Sequence, residues 1–266
     1  MMTLAQSNAT PGMGRIPVLT CYLFLALISA AAPTCSAAGK VVAISGAWQR
    51  FGIMFNAANM ATGNAKYVPP PIPDPPLRPE YLAAWQAQRQ ARRDADAAGT
   101  PVANPNYVNC IGDGMPSMMM AMFPIEFLQS EGQVTIIEEA YTQVRRIYLD
   151  QPQVKLDDIE PGFFGHSVGQ WQDGALHVET IGVKEAVQYQ YTPHSKEMRI
   201  QERIYKVAPD ILWDEITISD PEYLTGPWVF TYGYQRMPDY KMQEYICEAN
   251  REYVDEQGYQ QIRVGE

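Results

Sequence analysis

The sequence predicts a mainly β protein: an antiparallel meander closing into a lipocalin-like up-and-down barrel, with one N-terminal helix and an extended proline-rich arm. Three observations carry this. Short runs rich in β-branched and aromatic residues follow one another at 123–129, 134–139, 144–149, 166–172, 175–182, 198–207, 211–219 and 228–237. Turn residues separate several of them, as in Ser130-Glu131-Gly132, Asp173-Gly174, Pro209-Asp210 and Asp220-Pro221. No helical periodicity interrupts the series, so consecutive strands pair with their chain neighbours. Closing such a sheet removes its exposed edges, and a barrel of about eight strands has room inside for side chains or one small ligand.

The remaining elements come before the strands. Pro69-Pro70-Pro71-Ile72-Pro73-Asp74-Pro75-Pro76 favours an extended, polyproline-type spacer. A helix follows, opened by Pro79 and Glu80, carrying Tyr81, Leu82, Ala84 and Trp85 at helical spacing and stopped by Gly99-Thr100-Pro101. The expected organisation is a leader over 1–38, an extended arm over 39–76 lying outside the core, and a single barrel domain with its helix over 77–266.

The leader is read from its pattern. Arg15 precedes the apolar run 16–28, and the small residues Ser36-Ala37-Ala38 make a cleavage site, the three parts of a secretory signal peptide. The run is shorter than the ~20 residues of a membrane-spanning helix. Met13 is an alternative start. Periplasmic or secreted localisation is therefore expected, with no stable membrane insertion after cleavage. The chain carries a formal net charge of −10, and the leader contains Arg15 but no acid. So acidic a chain is a poor match for nucleic acid or anionic lipid, which are bound through Lys/Arg clusters. Of four cysteines, Cys21 and Cys35 leave with the leader. Cys110 and Cys247 remain, and in an oxidising compartment they are expected to pair. Closing so long a loop would contribute roughly 4–5 kcal/mol by chain entropy.

No nucleophile elbow, zinc-protease, phosphate-loop or paired CxxC motif is present, and the histidines are His166, His177 and His194. Registry supplies the sharper expectation. The two-residue turn Asp173-Gly174 sets Gln172 opposite Ala175. Gly169, Trp171, Leu176 and Val178 then share one apolar face, and His166, Val168, Gln170, His177, Glu179 and Ile181 share the other. A second turn at Ala208-Pro209 would set Arg203 opposite Asp214 and Glu202 opposite Glu215. Two opposed carboxylates on an apolar face do not both ionise without a cation. Arg145 or Arg146 could supply it, and His166 and His194 precede strands, where loops rim a barrel mouth. The expected site is His166, His194, Glu202 and Arg146 as acid–base groups, with Glu179, Glu215, Trp213, Trp228 and Arg145 contacting a ligand. Against it stands a solvated face of structural ion pairs. His166, His194, Glu179 and Glu202 also contain ligand types for a metal, though no ligand spacing supports one and no metal is expected. Met115, Met118, Met119, Met120 and Met122 favour core or pocket lining over copper binding.

Several segments resemble a family of secreted proteins of soil and aquatic bacteria whose activity is uncharacterised. They are Pro79-Glu80-Tyr81, Cys110 with Gly114-Met115-Pro116, Pro124-Ile125-Glu126-Phe127 and Arg145-Arg146-Ile147-Tyr148. The central strands add Gly165-His166-Ser167-Val168-Gly169-Gln170-Trp171 and Val178-Glu179-Thr180. Further on come Pro193-His194-Ser195, Glu202-Arg203, Asp220-Pro221, Pro227-Trp228 and Cys247. The likeness spans residues 77–250. Asp173-Gly174-Ala175-Leu176 stands where the family has Gly-Asp-Thr-Leu, and Leu149-Asp150-Gln151-Pro152 lacks the Gly and Arg of its Thr-Asp-Gly-Arg loop. The resemblance implies boundaries and motif residues, and no reaction. The function expected is binding of a small, largely apolar molecule in the barrel, without organic cofactor. Acid–base chemistry of isomerase, lyase or hydratase type is compatible with it. A non-catalytic structural or metal-binding envelope protein is the alternative.

Overall fold

The computed structural model describes residues 40–52, 64–100, 106, 109–247, 252–257 and 260–262. The expected leader, with Cys21 and Cys35, lies outside the described residues. Nine strands form a closed barrel in chain order. They are β1 (Gly46–Arg50), β2 (Ile125–Ser130), β3 (Gln133–Glu138), β4 (Gln143–Leu149), β5 (His166–Gln172), β6 (Ala175–Ile181), β7 (Arg199–Ala208), β8 (Ile211–Ser219) and β9 (Trp228–Arg236). β10 (Glu252–Val254) and β11 (Gln260–Ile262) pair separately. Helix α1 spans Pro79–Ala97. None of the described helices is long and apolar enough to cross a membrane.

All but one of the barrel's neighbouring strand pairs are antiparallel, and an odd number of strands explains the exception. A ring in which every neighbour runs antiparallel closes only with an even count. Nine strands therefore need one parallel joint, and it falls between β4 and β5. A parallel joint needs a crossover rather than a hairpin, and residues 150–165 supply it. Gln153 of this connection fastens it by donating to the carbonyls of His166 and Glu179 at 3.4 and 3.1 Å.

Segment 39–76 was expected to lie outside the core; the barrel corrects this. The described residues belong to one compact unit, and Gly46–Arg50 is the strand that pairs both β2 and β9 and so closes the ring. Its run of five residues holds one large apolar side chain, Trp48, too little alternation to announce a strand. The proline-rich stretch that follows is strapped along the barrel wall. Trp213 Nε1 donates to Tyr67 O at 2.8 Å and Trp228 Nε1 to Pro73 O at 2.9 Å. Thr225 N donates to Pro76 O at 2.8 Å, and Leu77 bridges Leu224. Proline offers no N–H, but its carbonyls accept, and this strap is bound through them.

The interior is filled by alternate residues of every strand, among them Trp48, Phe127, Ile136, Ile147, Leu176, Val178, Ile200, Ile204, Leu212, Ile216 and Ile218. Along β9 the inward positions are all aromatic: Trp228, Phe230, Tyr232 and Tyr234. The upper end, where β9 begins and β8 finishes, is capped by a short 3₁₀ turn (Ser117–Met120) and by residues 187–195. Met115, Met118 and Met119 are wholly buried there, so this part of the methionine cluster is core. The disulfide Cys110–Cys247 joins the segment entering the cap to the tail after β9.

Candidate functional site

The hairpin of β5 and β6 has the expected register, with Gln172 opposite Ala175 and Gly169 opposite Val178. The hairpin of β7 and β8 does not. Ala208 pairs with Ile211, so the turn is Pro209-Asp210, and a bulge at Val207 follows. Proline's fixed φ suits the first central position of such a turn and disfavours the second, where the Ala208-Pro209 reading had put it. Moving the turn by one residue alone displaces the pairing by two places and keeps the faces; the bulge takes one place back, and the net one-residue slip sends every β8 side chain to the opposite face. Glu202 now lies opposite Ile216, Arg203 opposite Glu215, and Asp214 opposite Ile204. The carboxylate sharing the interior with Glu202 is therefore Asp214, one diagonal step away, and not Glu215.

Inside, Arg145 of β4 reaches across two strands to Glu202 of β7. Nη1 donates to Oε1 at 2.8 Å and Nη2 to Oε2, a two-pronged pair with neither side chain exposed. Nε and Nη2 also donate to Ser167 Oγ at 3.2 Å, and Nη2 to Thr180 Oγ1 at 2.9 Å. One guanidinium thus ties β5, β6 and β7 to β4 with each of its three nitrogens hydrogen-bonded, as a buried cation requires. Asp214 is the contrast. It has 0 % exposure, and neither carboxylate oxygen has a hydrogen-bond partner among the described residues. Burial, above all, pushes its carboxyl well above the usual range; Glu202 adds to this and Arg145 opposes it. A third interior acid, Glu138 at the end of β3, accepts from Gln143 Nε2 at 2.5 Å, while Gln143 Oε1 accepts from Gly114 N at 3.1 Å. Burial, with Asp113 nearby, raises Glu138 from 4.5 to about 9.

The aromatic stripe of β9 runs from these acids to the capped end. Tyr232 is the register partner of Asp214. Its hydroxyl meets that of Tyr189 at 2.5 Å, and Tyr189 stacks on Phe230 with centroids 5.1 Å apart. Tyr234 Oη donates to Met119 O in the cap. At the top, Trp228, Tyr189, Ile218, Met198, Leu224 and Pro116 enclose a mostly apolar cavity of about 20 Å³ that His194 and Asp220 also line. His194 holds two carbonyls, Val187 O from Nε2 at 2.7 Å and Ser195 O from Nδ1 at 3.0 Å. A neutral imidazole donates to only one of them.

Above this cavity Gln190 and Tyr191 form a tight turn, both with positive φ (48° and 61°) and closed by Thr192 N donating to Tyr189 O. Left-handed backbone at two non-glycine residues is strained. α1 braces the turn: Trp85 Nε1 donates to Gln190 O at 3.1 Å, and Arg92 lies 4.1 Å over the Tyr191 ring. Two clefts of about 320 Å³ flank it. One is walled by Pro69–Ile72 and the other by Arg89 and Met120.

The expected constellation is thus divided. Arg145 and Glu202 meet in the interior, and His194 and Trp228 meet in the end cavity. His166 sits at the outer rim of β5, stacked on Tyr148, with Nδ1 2.8 Å from Gln153 Oε1. Arg146 is exposed on the outer face of β4. Glu179 pairs with Arg199 outside at 3.1 Å, and Glu215 with Arg203 at 3.1 Å. Trp213 faces the strap. The four acid–base residues expected at one place, His166, His194, Glu202 and Arg146, are not brought together. Asp214, Ser167, Thr180, Tyr189, Tyr232 and Tyr234 were not anticipated as site residues. Strand alternation held the signal for Asp214, because Leu212, Ile216 and Ile218 mark its face as core. Among the described residues no cluster of His, Cys, Asp and Glu is arranged to hold a metal ion. Comparison with known proteins finds no matching family model, curated protein or solved structure.

Proposed function

We propose that this protein binds a small, largely apolar molecule inside its barrel, outside the cytoplasm, with the β9 aromatics flanking the body and Asp214 meeting a polar end. The carrying observation is Asp214. A buried polar group without a partner costs about 1–3 kcal/mol, and such a cost persists at sites where a ligand supplies the missing bond. Access runs beside the Gln190-Tyr191 turn. The 20 Å³ of the end cavity holds about one water molecule, so a ligand enters as the strained turn lifts from the Tyr189–Tyr232 contact. The disulfide and the acidic charge suit an extracytoplasmic setting.

Acid–base chemistry on the ligand, if the protein performs any, falls to Asp214, since Glu202 is held by both arms of Arg145. The test is native purification from the exporting cell, solvent extraction and mass spectrometry of released small molecules, for the wild type and Asp214→Leu. A defined compound present in the first and lost from the second is expected. If the variant keeps the compound, Asp214 is no part of the site. If the wild type carries none and binds none from cell extract, the rival reading as a structural envelope protein stands, supported by the buried Arg145–Glu202 network.

A further inference from the structure

The charge inventory around Asp214 selects the chemistry of the ligand's polar end. This step rests on the reading of the barrel as a binding site. Arg145 is taken up by Glu202 in a fully buried pair, and the other nearby cation, Arg50, lies over the Tyr232 ring at 5.7 Å and is not among the charges that act on Asp214. A cationic ligand would have to sit near the Arg145 guanidinium, which already acts electrostatically on Asp214, and an anionic one near Glu202. Ile204, Ile216, Phe230 and Tyr232 are the buried register neighbours around Asp214 and Glu202, and burying one more ion among them costs several kcal/mol. A neutral group does not incur that cost. A carboxyl that keeps its proton carries one O–H donor, and Asp214 has no acceptor for it among the described residues. The neighbouring Tyr234 hydroxyl is committed to Met119 O.

We propose that the barrel interior recognises an uncharged carbonyl compound, a ketone, aldehyde or amide on a flat apolar body. The carboxyl of Asp214 donates a hydrogen bond to its oxygen. Burial of Asp214 supports this, because it favours the protonated carboxyl over the carboxylate.

Four probes of one shape test it: 1-tetralone (carbonyl), 1-aminotetralin (cation), tetralin-1-carboxylate (anion) and tetralin (no polar group), titrated against the full mature protein by calorimetry and tryptophan fluorescence. The expected order places 1-tetralone at least about tenfold tighter than the other three. Its bound C=O stretch should move to lower frequency than in alkane solvent. Asp214→Leu should lose the tenfold preference over tetralin, and Asp214→Asn, which retains an N–H donor, should keep part of it. Equal binding of tetralin and 1-tetralone, or tighter binding of the amine or carboxylate, overturns the carbonyl assignment while the barrel remains a binding site. Binding of none of the four, together with no co-purifying compound, overturns the assignment and the site with it. An unchanged preference in a folded Asp214→Leu also overturns it.

Discussion

Two ion pairs take adjacent residues of β7 and face opposite ways. Glu202 points into the barrel and is held by Arg145, with side-chain exposures of 0 % and 0 %. The next residue, Arg203, points outward to Glu215, at 42 % and 38 %. The outer pair is joined by Tyr205, which donates to Glu215 Oε1 at 2.8 Å and lies beneath the Arg203 guanidinium at 3.9 Å. Chemically they are the same interaction, yet water makes them different objects. The outer pair is screened, and either partner can be resolvated if the other is lost. The inner pair cannot, so its members are stabilising only together. The same wall carries surface chemistry on one side and a closed polar network on the other, and only the network reaches a residue left without a partner, Asp214.

The comparison is broken most forcefully by removing one inner partner. Arg145→Leu leaves Glu202 buried and unpaired, and about 3–5 kcal/mol of stability should be lost in urea denaturation. The double variant Arg145→Leu, Glu202→Leu should recover most of that loss. If it is no better than the single one, the network acts by shape rather than charge.

The interior acids sharpen the comparison through pH. The folded state keeps Glu138 protonated up to about 9, while the unfolded chain loses that proton near 4.5. Between those values the native state binds more protons than the unfolded one, so stability falls as pH rises, by at most about 1.4 kcal/mol per unit. Asp214 acts in the same direction. Melts recorded from pH 5 to 9 should decline, and Glu138→Gln should flatten the slope. A slope unchanged in that variant would assign it elsewhere.

Asp214→Leu reverses the usual sign of a core substitution. Removing a buried carboxyl without partners should raise stability by about 1–3 kcal/mol, measured as a higher melting temperature for ligand-free protein. A fall would mean that Asp214 has a structural partner.

The outer pair gives the smallest effect. Arg203→Ala should cost less than about 1 kcal/mol, and that cost should vanish in 1 M salt. The Arg145→Leu deficit should persist in the same salt.

Much of the fold was legible because the turns are chemically explicit. Asp173-Gly174 fixed the register of β5 and β6 through the left-handed backbone that a tight hairpin needs, and Asp173 does sit at φ 50° and Gly174 at 79°. Eight of the nine barrel strands follow from β-branched and aromatic runs. β1 escaped because its five residues cannot bury themselves; only the open edges of β2 and β9 give them a place. Half of the site was legible too. Arg145, Glu202, His194 and Trp228 were named, but Asp214 was read as the cross-strand partner of Arg203, and His166 and Arg146 were assigned to the site although they lie on the outer face.

What the sequence by itself determined is local: strand lengths, the turn at Asp173-Gly174, the helix from Pro79 and the two cysteines able to pair. Each depends on neighbours within a few residues, where backbone preference and side-chain alternation dominate. The tertiary structure alone decided which face of β8 is inside, which strand closes the ring and where the parallel joint falls. The physical reason is that a side chain changes faces with a slip of a single residue. The energy that forbids the slip is the burial of Leu212, Ile216 and Ile218 against strands distant in the chain, a term no local window contains.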